Sequence, residues 1–177
     1  MKSFTLFTLT ALIMLVASCN YQKDADIDAV EVEQQIVEFR DFGPEPFVFD
    51  IEEYTIQNNS YRQALWTGTK MQLTLMSLQP GEKIDLELHS GHDQFIRIES
   101  GKGKILMGDS KENLDFEVEV EDDFGIFIPA GKWHTLINTS DKPLKLYSIY
   151  TPIEHQFGTV HQTYKEAQEA EHDHPHD

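Results

Sequence analysis

The chain has a single cysteine, Cys19, so no disulfide can form within it. Basic residues are scarce: 14 Lys and Arg stand against 31 Asp and Glu, a formal charge of −17 over 177 residues. That balance lacks the basic patch on which a phosphate backbone binds, which excludes nucleic acid as a main partner. No glycine-rich loop follows a strand and opens a helix, so the nucleotide-phosphate cradle is missing as well. No nucleophile stands with a paired base, and long helical periodicity is absent outside two short stretches. What remains is ordinary for a globular protein: 40% hydrophobic and 25% charged residues, enough for one domain with a buried core.

The first residues have the layout of a secretory signal peptide: Lys2, an apolar run over 4–16, then small residues. Leu15-Val-Ala-Ser-Cys19 resembles the lipobox of bacterial lipoproteins, and the sole cysteine falls where the lipobox needs it. The resemblance implies that residues 1–18 are a cleaved signal peptide and that Cys19 carries the lipid anchor. The protein would then sit in the bacterial cell envelope, on the outer membrane, with its periplasmic or surface face left open. Multiple acyl chains would hold it there, each buried methylene adding about 0.8 kcal/mol. A plain exported protein is the alternative. Residues 19–46 are acidic and polar, closed by Pro44 and Pro46, and read as a flexible tether.

From residue 47 to about 161 the pattern is one of short strands. Residues 70–78 are rich in apolar side chains. Residues 83–89 alternate, with Ile84, Leu86 and Leu88 on one face and Asp85, Glu87 and His89 on the other. Residues 94–98, 104–107, 116–121, 124–128, 133–138 and 144–150 complete the set. Turn signals such as Pro80-Gly81, Gly101-Lys-Gly103 and Pro129-Ala-Gly131 separate them. Such spacing predicts an all-β sandwich or barrel. Residues 51–54 could open a helical turn, and 164–172 is a minor terminal helix, expected to be exposed. Residues 162–177 form an acidic tail with His172, His174 and His176, which could bind metal loosely or remain solvated.

Residues two apart on a strand share a face, so Glu87 and His89 point together. Gln94 opens the next strand after a short turn and can sit beside them. His134 would come from a strand across the barrel. One carboxylate, one amide oxygen and two imidazoles make a mixed N/O set suited to Mn, Fe, Zn, Co or Ni, with positions left open. The alternative is a hydrogen-bonded polar cluster, against which stands the cost of burying a carboxylate without compensation. His92, in the loop between these residues, and Tyr150 are pocket candidates. His155 and His161 could fold back over the barrel.

The spacing resembles the two motifs of the cupin superfamily. Gly81, Glu87-Leu-His89, Gln94 and Gly101 follow the first; Asp123, Pro129, Gly131, His134 and Asn138 follow the second. Three positions depart. Glu87 stands for a His, Gln94 for a Glu, and Asp123 for a Gly. The resemblance covers residues 47–161 and, with Leu65-Trp-Thr-Gly68, looks like the single-domain branch often labelled mannose-6-phosphate isomerase-like. It implies a double-stranded β-helix or jelly-roll barrel, a divalent transition metal, a small-molecule ligand or substrate, and a homodimer. The reaction stays open between isomerase- and dioxygenase-like chemistry, a non-catalytic small-ligand or metal-binding protein, and a structural barrel with a vestigial pocket.

Overall fold

The structure is a computed structural model and describes residues 37–173, with side chains to residue 170. The signal peptide, Cys19, the first part of the tether, His174 and His176 lie outside the described residues, and His172 falls near the end of the last helix.

A short helix, α1 (Ile51–Gln57), precedes ten strands. Asp50 caps α1, its Oδ1 accepting from Glu53 N at 3.0 Å. The strands are β1 (Arg62–Thr67), β2 (Gln72–Leu78), β3 (Lys83–Leu88), β4 (Asp93–Ser100) and β5 (Lys102–Gly108). Then come β6 (Phe116–Glu121), β7 (Gly125–Ile128), β8 (Trp133–Asn138), β9 (Leu144–Thr151) and β10 (Val160–His161), before helix α2 (Tyr164–Asp173). They form a six-stranded sheet ordered β10-β1-β2-β9-β4-β7 and a four-stranded sheet ordered β3-β8-β5-β6, every pair antiparallel. This is the all-β barrel that the strand spacing predicts, in the jelly-roll arrangement that the family resemblance implies.

The inner faces meet in one apolar core that includes Met76, Ile84, Ile96, Ile98, Ile105, Leu136 and Leu146. A second cluster covers the outer face of the larger sheet. There Leu65, Leu75 and Tyr147 pack beneath Phe42, Phe47, Phe49 and Tyr54, the rings of Phe42 and Phe47 stacking at 4.0 Å. Strand β2 is therefore buried along its whole length, and a strand buried on both faces shows no alternation. The same holds for most of β1, where the sequence reading places no strand.

Residues 41–46, read above as the end of the tether, pack on the barrel. Asp41 is buried, and its carboxylate accepts from Thr67 N (2.9 Å), Thr67 Oγ1 (2.5 Å), Gly43 N (3.0 Å) and Gly158 N (3.0 Å). Helix α2 likewise buries one face instead of standing free. Ala167 joins the core, and Tyr164 Oη donates to Asp85 Oδ1 at 2.5 Å.

Candidate metal centre

Strand β8 carries the second motif. The turn before it needs a left-handed backbone at Gly131 (φ 79°), where a side chain is disfavoured. Gly131 N then donates to His89 O at 2.8 Å, tying this turn to the end of the first motif. Asp123, where a glycine is usual, has φ 70°; Asp is among the few residues with a side chain that tolerate it. Asn138 closes the motif structurally: its Nδ2 donates to Leu78 O (2.9 Å) and Lys142 O (2.8 Å).

Glu87 pairs in register with His134 on β8, and Ile84 with Leu136, with a register irregularity between them. Three residues on β3 thus span two on β8. Strict alternation would put Ile84 and Glu87 on opposite faces. The bulge turns both inward, Ile84 to the core and Glu87 to His134.

Glu87 Oε1 lies 3.2 Å from His89 Nε2 and 3.2 Å from His134 Nε2. Ligand atoms of these three residues all fall within 4.8 Å of one another. His134 is 1% exposed, and its Nδ1–H donates to Lys132 O at 3.0 Å. That fixes the tautomer with Nε2 presented to Glu87. Gln94, buried on β4, donates Nε2 to Ser148 Oγ at 2.9 Å, while its Oε1 is buried with no hydrogen-bond partner. It makes no hydrogen bond to the other three. Two imidazole nitrogens and a carboxylate, with an orphaned amide oxygen on β4 of the other sheet, fit a divalent transition ion.

The two pocket candidates flank this cluster. The His92 ring stacks on His89 at 4.6 Å, and Tyr150, itself buried, stands edge-on to His89 at 5.8 Å. Burial pushes the Tyr150 hydroxyl well above the usual phenol range and keeps it protonated. His92 Nε2 pairs with Glu154, a residue the sequence reading does not single out. Its signal was faint: one acid beside His155, in a segment noted only for folding back.

The pair at the centre is polarised. Burial opposes the charge on Glu87, yet hydrogen bonds with His134 and His89 outweigh it and hold the carboxyl far below its usual range. Burial likewise opposes the charge on His89, and the hydrogen bond with Glu87 outweighs it and raises the imidazole above its ordinary value. The Glu87 contribution is present above its ordinary value of 4.5 and is lost as pH falls. The His89 contribution is present below its ordinary value of 6.5 and is lost as pH rises through its folded value. The chelated protein is therefore expected to melt highest between these two values and progressively lower on the alkaline side. A thermal midpoint that stays level from about pH 5 to about pH 9 in chelator would remove His89 from the pair.

A jelly-roll barrel holding a Glu–His–His cluster between the strands of its two motifs defines a cupin. The Cupin domain family matches residues 74–150. The Bacillus subtilis (strain 168) protein YrkC is 56% identical over 132 residues, covering 75% of this chain and 71% of that protein. The L612 protein of Acanthamoeba polyphaga mimivirus is 42% identical over 115 residues, 64% of this chain and 70% of that one. The crystal structure of BH2720 from Bacillus halodurans is similar with a TM-score of 0.73 at 53% identity, covering 73% of this chain and 98% of that chain. The chain belongs to the cupin family, in company with YrkC and BH2720.

Proposed function

We propose that this cupin binds a divalent transition metal in the bacterial cell envelope and acts on a small molecule there. The reading rests above all on Glu87 Oε1, set 3.2 Å from both His89 Nε2 and His134 Nε2. Glu87, His89, His134 and Gln94 would hold the ion. When bound, it would supply Lewis-acid chemistry for an isomerase or redox chemistry for a dioxygenase. The chain's own part is to hold the donors ready. Lys132 O orients His134. Ser148 takes the Gln94 amide nitrogen and leaves the amide oxygen for a ligand. Tyr150 offers a protonated hydroxyl within the same half of the barrel.

Elemental analysis of the purified chain tests the metal. Stoichiometric metal supports the reading, and a metal-free protein after supplementation with each of the five ions sinks it. Turnover of a metabolite panel then separates the enzyme from a binding protein, which would saturate without forming product.

The envelope location rests on the lipobox resemblance at Cys19. Cys19→Ser is expected to release the protein from the membrane pellet into the soluble fraction. If the variant still pellets with membranes, the lipid anchor is not on Cys19.

A further inference from the structure

Beyond β9 the chain crosses the barrel as a strap over residues 152–159 before entering β10. The strap is clamped from the inside. Gln72, fully buried on β2, accepts from His155 N at Oε1 (2.9 Å) and donates from Nε2 to His155 O (2.9 Å). One side-chain amide thus brackets residue 155 as a neighbouring strand would. Farther along, Gly158 N donates to Asp41 Oδ2 at 3.0 Å, and Ala64 N donates to Thr159 O at 2.8 Å.

Glu154 immediately precedes the clamped residue, so its backbone is fixed. Its side chain is 7% exposed. One carboxylate oxygen lies 3.6 Å from His89 Nδ1, and the other pairs with His92 Nε2. The two imidazole rings stack with an interplanar angle of 22°, and the single carboxylate spans both. His89 therefore faces acids on both sides: Glu87 at Nε2 and Glu154 at Nδ1.

We propose that Glu154 is a positioning residue that sets the tautomer and ring orientation of His89, so that Nε2 is presented to the metal. The role rests on the metal-centre reading above. With an ion on Nε2 the imidazole keeps its one proton on Nδ1, and the Glu154 carboxylate on that side stabilises it there. At 3.6 Å, beyond a direct hydrogen bond, the carboxylate acts through its charge. Nε2, which shares a hydrogen bond with Glu87 Oε1 in the metal-free protein, is then the nitrogen left to the ion. Carboxylates behind a ligating histidine govern metal affinity in this way, and their loss costs about ten- to a hundredfold. His92 Nε2 meets the other oxygen of Glu154 and so braces the carboxylate against His89.

The test is Zn2+ affinity of the full chain, measured by competition with a chromophoric chelator, for wild type and Glu154→Gln. The substitution keeps the volume and removes the charge. Affinity is expected to fall about ten- to a hundredfold with stoichiometry unchanged, and the melting midpoint of the metal-free protein is expected to hold. If wild type binds Zn2+ and the variant binds within about twofold of it, Glu154 has no such role and the metal centre stands. If wild type binds no Zn2+, the metal centre itself fails and this role with it. Wild type alone supplies a second reading that does not depend on the variant folding. In the zinc-loaded chain the 15N spectrum of the His89 ring should report the proton on Nδ1 and the metal on Nε2. A ring that carries the metal on Nδ1 overturns the assignment.

Discussion

His134→Ala is expected to strip the purified chain of stoichiometric metal while leaving the barrel folded. His134 sits near the start of β8 with both nitrogens committed, Nδ1 to Lys132 O and Nε2 toward Glu87. Its loss leaves the Glu87 carboxylate with one imidazole, and a divalent ion with half its nitrogen donors. The contrast with chelated wild type makes the measurement decisive. A ligand bound only by the native state stabilises it by mass action, about 4 kcal/mol at a thousandfold excess over Kd. Chelation should therefore lower the wild-type melting midpoint by many degrees and leave that of His134→Ala where it was. If the variant keeps wild-type metal content, the ion sits elsewhere.

Asp41→Ala is expected to be the most damaging substitution outside the core. One buried carboxylate accepts four hydrogen bonds, which join Gly43, Thr67 on β1 and Gly158 on the strap. Hydrogen bonds to a charged group contribute more than neutral ones, and the two Thr67 donors left behind would be buried without this partner. A loss of roughly 3 kcal/mol is expected, which lowers the melting midpoint by about 10 °C in a domain of this size. A fall of less than about 2 °C would mean that residues 41–46 are only draped on the barrel.

The fold was legible where the chain alternates or turns under constraint. The turn at Gly131, the strand that follows it and the closing Asn138 are local features, and their spacing carried the family resemblance. Asp123 was legible only as a departure; its φ of 70° explains it. Other features were hidden for a shared reason, since each depends on residues far apart in sequence. Strand β1 reads as no strand because it is buried along most of its length, so its residues do not alternate. The tether ended too late because nothing near Asp41 announces partners more than a hundred residues away. Glu87 was placed with His89 correctly, but by an alternation that would have turned it away from the Ile84 face. The bulge in β3 resolves that conflict, and no residue type there marks it. Glu154 escaped notice because its partners, His89 and His92, belong to the far side of a strap whose path only the folded barrel defines.

The place of β9 in the larger sheet has a consequence for how the chain acquires its structure. Strand β9 lies between β2 and β4, so those two strands never pair with each other. Until residues 144–151 emerge, β2 and β4 each present an open edge, and the core they share has no middle. Loop closure over such a separation is slow, and open apolar edges invite pairing with other chains. The barrel therefore closes late and nearly all at once, with its last long strand as the keystone. A chain emerging amino end first can pair β1 with β2 and β4 with β7, but must shield the open edges of those two pairs until that strand arrives.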